Sequence, residues 1–349
     1  MEYSHAYFYV VTITVMLIFG TSCHGQSQNM PSPEVYLKPM IALPDTSIGE
    51  IVEELSNNLM LVYQDKKHNY WFGSWGEGLY KYDGKKIIRF TIADGLASNR
   101  IDEIREDKAG HVYFNTPGGI SRYDGNAFTT LKMSAQSTNE WKLGPDDLWF
   151  KCMQDSGQVY RYDGQTLHRL LFPEIQIGKD YDALFPPSQY TNRSNPYDVY
   201  TLYTDSKGNI WIGNNGIGGL KYDGEKVINF TEEQKLKKED TKGNSLEQVF
   251  SIGEDASGNI WFGTYIGAIK YDGKTFKSYD EENGLNNIMI GRKSILIDKS
   301  GNMWVGTDGG VYQYDPSADT TGGKCFSFFD MLGPVIIKDI MEDKSGNIW

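Results

Sequence analysis

The chain has 349 residues, with 46 acidic against 34 basic side chains and a formal net charge of −12. No basic stripe interrupts this acidity, which argues against a nucleic-acid partner. The length is ample for a large core, and the 38 Gly, 23 Tyr and 8 Trp belong to an internal repeat rather than to a cofactor box.

The N-terminal segment 1–22 reads as a secretory signal. Its apolar run, Ala6 to Phe19, is shorter than the ~20 residues of a spanning helix. Small residues Gly20, Thr21 and Ser22 lead into Cys23, and this order resembles a bacterial lipoprotein signal, which implies lipidation of Cys23. No Lys or Arg precedes the run, and Gly20 stands where that signal usually has Leu, so an ordinary cleaved signal with an incidental cysteine stays open. Residues 23–45 would then be anchor and tether, with Pro31, Pro33, Pro39 and Pro44 stiffening it. Val35 to Leu37 could add one strand at the edge of the domain that follows.

From residue 46 to 349 a unit recurs. Its clearest copy is Asp255-Ala256-Ser257-Gly258-Asn259-Ile260-Trp261-Phe262-Gly263-Thr264, followed by Tyr271-Asp272-Gly273. Asp255 to Gly258 predicts a turn, Ile260 to Phe262 a buried strand, Gly263 its break, and Asp272-Gly273 a second hairpin turn. Val249 to Glu254 in front and Phe276 to Tyr279 behind complete four short strands. Trp71, Tyr113, Trp149, Trp211 and Trp304 mark the other copies, each followed by Tyr-Asp. The last residues, Lys344 to Trp349, open a seventh copy. Four strands per unit at a period of ~40–50 residues predict an all-β fold, a β-propeller with seven blades whose last blade is cut off. The pairs Leu59/Val62, Ile101/Ile104, Val199/Leu202, Val249/Ile252 and Ile337/Ile340 stand at fixed distances before the turn Asp and predict the innermost strand. In the sixth unit Arg292 takes the outer place of that pair, either solvated at the channel mouth or binding an anion.

These units resemble the two-component regulator propeller repeat of bacterial sensor ectodomains and free-standing exported proteins. The resemblance runs from about Leu55 to Trp349 and implies the propeller fold. It implies a ligand-binding sensing module, with a glycan fragment as one ligand, but it is weak on function because propellers host many activities. The repeat is also distantly similar to virginiamycin B lyase, but the catalytic histidine of that family cannot be placed on any His here.

Two places break the pattern. The third unit replaces the Asp-x-x-Gly turn with Leu143-Gly144-Pro145-Asp146-Asp147, and most of Leu131 to Glu140 is polar. Long insertions at 171–200 and 232–248 follow the third and fourth units, the first rich in aromatics and the second mostly charged. In a propeller, connections between blades open on the same face as the loops between second and third strands. The insertions therefore overhang a face carrying Trp75, Glu77, Asn115, Lys151, Asp155, Asn214, Asn215, Tyr265 and Asp308, with Arg292 near it. Aromatic, amide and acidic side chains suit a sugar or a peptide, and turns also contain them.

No catalytic arrangement emerges. His5 lies in the signal, His24 in the tether, His68 and His111 by turns opposite the candidate face, and His168 on an outer strand. One Asp per repeat (Asp65, Asp107, Asp205, Asp255, Asp298, Asp343) points to turn stabilisation rather than a calcium loop. Cys152 and Cys325 fall in different units and are expected as free thiols. The reading is a non-enzymatic exported propeller, without metal or cofactor, touching a membrane only through its lipid and binding a glycan fragment or a protein partner. The front part of a sensor histidine kinase receptor and a propeller lyase or hydrolase are the alternatives, and the unfinished seventh copy suggests that the natural protein continues past Trp349.

Overall fold

The computed structural model describes residues 48–138, 141–151, 158–172, 195–233, 246, 248–286 and 289–349. The chain divides into Met1–Thr46 and Ser47–Trp349. The signal, Cys23, the tether, the suggested strand Val35 to Leu37, and the bodies of both insertions lie outside the described residues.

The described residues form six sheets. Blade one comprises β2 (Leu59–Gln64), β3 (Tyr70–Ser74), β4 (Leu79–Tyr82) and β5 (Ile87–Phe90), and β1 (Glu50–Val52) adds a fifth strand antiparallel to β5 at the outer edge. Blade two comprises β6 (Glu103–Glu106), β7 (Val112–Thr116), β8 (Gly119–Tyr123) and β9 (Phe128–Thr130). Blade three holds β10 (Met133–Thr138), β11 (Leu148–Lys151), β12 (Gln158–Tyr162) and β13 (Leu167–Leu171). Blade four runs β14 (Val199–Thr204), β15 (Ile210–Asn214), β16 (Leu220–Tyr222) and β17 (Val227–Asn229). Blade five runs β18 (Val249–Glu254), β19 (Ile260–Thr264), β20 (Gly267–Tyr271) and β21 (Phe276–Tyr279). Blade six runs β22 (Ile290–Ile297), β23 (Met303–Thr307), β24 (Gly310–Tyr314) and β25 (Phe326–Phe328).

The recurring aspartate holds the first hairpin of a blade together. Asp255 Oδ1 accepts from the backbone N–H of Ser257 and Asn259 at 3.0 Å each, and Oδ2 accepts from Asn259 Nδ2 (2.8 Å) and the Trp261 indole N–H (2.9 Å). Asp65, Asp205, Asp298 and Asp343 make the same bonds to Trp71, Trp211, Trp304 and Trp349. At Asp107 the Tyr113 hydroxyl replaces the indole, 2.9 Å away. The indole N–H thus has an acceptor at the point where its ring enters the core between blades, as a buried polar group requires. Trp261 is fully buried against Tyr279, Tyr314 and Phe326, the last two from blade six.

The glycine two residues after this tryptophan has an inter-blade cause. A Cβ on Gly263 would lie 2.6 Å from Ile290 Cγ2 of the next blade, and one on Gly306 would lie 2.4 Å from Ile337 Cγ2. The inner strand of each following blade packs onto bare backbone at that point.

Blade three departs from this plan. Its polar segment β10 lies at the outer edge, parallel to β13, and not at the ring axis. The innermost place falls to β11, which carries Trp149 at the repeat position. Asn115 and Lys151 stand where the regular copies have glycine. At Asn115 the following blade offers no additional inner strand to collide with, and its Nδ2 donates to the Lys151 carbonyl at 2.6 Å; at Lys151 the missing strand is the inner one of its own blade, and its ammonium meets the Tyr200 carbonyl on β14 of the next.

The described residues form six blades rather than the seven of the expected ring, and the seventh unit forms a hairpin without a sheet. Glu342 bridges Ile348, and Met341 and Trp349 exchange backbone bonds of 3.1 and 2.8 Å. The hairpin lies between blades six and one. Ile337 N–H donates to Thr307 of blade six at 2.9 Å, and Trp349 packs on Tyr70 and Phe72 of blade one. Its links to blade one copy those between ordinary neighbours. Lys344 Nζ donates to the Asp65 carbonyl at 2.9 Å, as Lys66 Nζ does to Asp107 at 2.8 Å and Lys299 Nζ to Asp343 at 2.6 Å.

Candidate functional site

The inner strands enclose an axial channel that widens into two cavities. The larger, about 590 Å³, opens on the face of the β3–β4 and β19–β20 loops. The smaller, about 410 Å³, opens on the face of the Asp turns. Both are walled by Leu61, Asp102, Lys151, Tyr200 and Lys293, which form the waist between them.

Six of the ten residues singled out from the sequence converge on the larger cavity: Trp75, Lys151, Asn215, Tyr265, Arg292 and Asp308. Trp75 is 45% exposed and carries the Arg100 guanidinium 3.9 Å from its ring centroid. Tyr265 is 54% exposed. Arg292 lies 4.3 Å over the Tyr200 ring, and Tyr200 stacks on Phe250 at 4.9 Å. The charge at Arg292 is therefore neither buried alone nor simply solvated; it rests on an aromatic face.

Other candidates have local duties. Asn214 is fully buried; its Oδ1 accepts from the backbone N–H of Gly216 and Ile217, and its Nδ2 donates to the Gly218 carbonyl, so it closes its own loop. Asn115 is buried on the Lys151 carbonyl. Glu77 stands outside both cavities, with its carbonyl accepting from Arg89 Nε at 2.9 Å. Asp155 and Cys152 lie outside the described residues, and Cys325 is a buried free thiol whose pKa burial pushes up to about 11. The described ends of both insertions meet at Asn215, which donates to the Asn195 carbonyl at 3.1 Å and lies 3.4 Å from Gln248 Nε2.

The waist is strongly charged. Lys151 is buried, and its ammonium approaches the Tyr200 carbonyl at 3.5 Å. Burial lowers its pKa, and nearby Glu103 opposes that shift. Burial works to raise the Glu103 carboxyl, but Arg105 and Lys151 outweigh it and the net shift is downward. Glu103 Oε2 accepts from the Lys151 backbone N–H at 3.0 Å, and Oε1 accepts from Arg105 Nε at 2.9 Å. Asp339, whose side chain is 3% exposed, joins blade one to blade six across the seventh unit: Oδ2 accepts from Val62 N–H at 3.1 Å and lies 3.6 Å from Lys293 Nζ. Its Oδ1 is buried without a hydrogen-bond partner, and burial raises its pKa against the pull of Lys293. Sequence reading missed Asp339, Lys293, Tyr200 and Phe250. Arg292, noted as a charge in an apolar place, was the one signal from this group.

Two of the histidines pair with carboxylates nearby in sequence. His111 Nδ1 is 2.8 Å from Asp107 Oδ2, and His168 Nε2 is 2.6 Å from Asp163 Oδ2. Among the described residues, no histidine lines either cavity, and no group of three or more His, Cys, Asp or Glu is placed to hold a metal.

Segments 194–216, 244–265 and 284–309 match the family model described as two component regulator propeller, one match at the inner hairpin of each of blades four, five and six. No curated protein matches the chain. Among solved structures, the extracellular domain of BT3049 from B. thetaiotaomicron, described as a hybrid two component system, is 20% identical with a TM-score of 0.56, over 84% of this chain and 38% of that one. The extracellular domain of BT4673 from the same organism is 21% identical with a TM-score of 0.57, over 86% of this chain and 39% of that one. Virginiamycin B lyase from Staphylococcus aureus is 13% identical with a TM-score of 0.55, over 82% of this chain and 89% of that one. This chain thus spans well under half the length of the two extracellular domains, and at these identities the likeness speaks for the fold. The chain is a β-propeller in which three segments, in blades four, five and six, match the two component regulator propeller repeat.

Proposed function

We propose that the chain is an exported, non-enzymatic sensing propeller that binds an extracellular ligand at the mouth of its larger cavity. One observation carries this reading: six separately chosen residues, from five different blades and loops, meet at one cavity of about 590 Å³ on the ring axis. That volume lies within the range of small-molecule sites. Blades hold the contributing loops in place before binding, which lowers the ordering cost. The likeness to extracellular domains of two component systems supports export and sensing, and the ring is proposed to have seven positions, with the 334–349 hairpin at the seventh. Trp75 and Tyr265 offer exposed faces to a glycan fragment or a peptide side chain.

The test is a titration of the protein against libraries of oligosaccharides and of peptides. Trp75→Ala combined with Tyr265→Ala should weaken binding at least about fivefold with unchanged circular dichroism, from stacking contacts of roughly 0.5–1.5 kcal/mol each. Undiminished affinity in the double variant would move the site elsewhere. For the lipid anchor, Cys23→Ser should release the protein from the membrane pellet, and pelleting as before would count against the anchor.

A second reading, the sensing end of a longer receptor, draws on the lengths of the two B. thetaiotaomicron domains, of which this chain spans 38% and 39%. A cell-extract immunoblot of the native protein distinguishes the two readings by size. A product near 39.5 kDa or slightly below would defeat the receptor.

A further inference from the structure

Taking the cavity mouth as the ligand site proposed above, we propose that its ligand is a uronate-bearing oligosaccharide, with a carboxylate seated on the Lys151 ammonium and sugar faces on Trp75 and Tyr265.

Lys151 supplies the main observation. The residue is 8% exposed, lies on the wall of both cavities, and among the described residues has the Tyr200 carbonyl, at 3.5 Å, as the one acceptor for its ammonium. The neighbouring acids are engaged elsewhere. Asp102 pairs with Arg100 Nε at 2.8 Å, Glu103 with Arg105 and a backbone N–H, and Asp339 with Val62 N–H and Lys293. Among the described residues, no carboxylate stands within salt-bridge distance of the Lys151 ammonium. A buried ammonium with no direct ion pair, facing Glu103 and Asp102 only at longer range, carries a desolvation cost that an anion entering the cavity would offset.

The surroundings favour the same sign. In a chain of net charge −12, the cavity wall carries Lys151, Arg292, Lys293 and Lys338 against Asp102 and Asp308. Arg292 is held over Tyr200 and Lys338 is exposed at the rim, so both can face an anion without crossing the channel. The position itself is informative. Lys151 replaces a glycine of the repeat on β11, the innermost strand of blade three, and from there its side chain lines both cavities. Exposed aromatic side chains on the same cavity as an ammonium suit a ligand that is flat, hydroxylated and acidic.

The test is calorimetry on the full chain, using acidic oligosaccharides (oligogalacturonides and glucuronate-bearing oligomers), each paired with a neutral oligosaccharide of the same length and linkage. The acidic member should bind at least about tenfold tighter than its neutral partner, the scale of a hydrogen bond to a charged group. Lys151→Met should erase that preference while leaving neutral affinity in place, and Lys151→Arg should retain most of it. If Lys151→Met does not fold, Lys338→Gln, on the exposed rim, should cut the preference by about threefold. Equal affinity for acidic and neutral members overturns the carboxylate and leaves the mouth as a site. A preference that survives both Lys151→Met and Lys338→Gln overturns this seat for the anion. Binding of neither member overturns the saccharide and removes its support from the mouth as well.

Discussion

In blade five, the Asp255 carboxylate gathers two backbone N–H groups, an amide and the Trp261 indole into one hairpin. In blade three, the corresponding region has no such turn. There Asp147 accepts from Gly144 N–H at 2.6 Å and pairs with the Arg161 guanidinium at 3.0 Å, with side chains only 6% and 11% exposed. A second tryptophan, Trp141, stacks on Trp149 and Phe172 and donates its indole N–H to the Leu171 carbonyl at 2.9 Å. A carboxylate lock with neutral donors, which recurs around the ring, has been replaced at one position by a buried ion pair and an extra aromatic layer. The displaced strand then leaves the axial wall to Lys151. The regular blade illustrates how the repeat is stabilised, and the irregular one shows where the ring acquires a feature of its own.

The two locks should fail in different ways. Asp147→Ala leaves the Arg161 guanidinium buried without its carboxylate, and loss of a buried partner costs about 3–5 kcal/mol. Asp255→Ala removes an acceptor from the buried Trp261 indole and from the turn, worth about 2–3 kcal/mol. Urea unfolding of the two variants checks the order. Double replacement sharpens the contrast. Asp147→Leu with Arg161→Met should be nearly neutral, because well-packed apolar groups can substitute for a buried ion pair. Asp255→Leu with Trp261→Phe should remain costly, because Trp261 fills the core between blades five and six. Equal losses in the two double variants would mean that the blade-three pair is as integral to packing as the tryptophan.

Much of this was legible because the repeat places its chemistry at short range. Trp261 stands six positions after Asp255, so one hairpin brings carboxylate to indole, and the pattern recurs at Trp71, Trp211 and Trp304. The role of Gly263 was only half legible. It reads as a strand break, but its cause is Ile290 of the next blade, which a single unit does not contain. Lys151 could be listed among loop residues, while its place on the channel wall depends on β10 moving to the outer edge, which no local pattern encodes. Asp339 meets Val62 across 277 residues, a contact created by ring closure alone. Asn214 misled because a polar residue beside a turn looks available to a ligand until its bonds within its own loop are known.

The smallest effect concerns the outer hairpin turns, where the same two blades differ by one ring. Asp163 of blade three accepts from the N–H of Gln165 and Thr166 and is bonded to His168, whereas Asp272 of blade five has the Thr275 hydroxyl in place of the imidazole. Burial would raise the Asp163 pKa, but the Thr166 and His168 bonds prevail and bring it down from 3.8 to about 2. A carboxyl depressed in the folded state contributes stability that is fully present above its unfolded pKa. That contribution fades as pH falls from about 4 through about 2. Asp163 is partly exposed, so solvent screening keeps the term well below the full linkage value. Asp163→Asn should therefore cost a small amount of stability at pH 7, where the loss is largest, and flatten part of the acid side of the stability–pH curve. Melting temperatures of wild type and variant between pH 2 and pH 7 would show the two curves converging toward acid. Parallel curves over that range would mean that the His168 contact adds nothing to the blade-three turn beyond what Thr275 gives blade five.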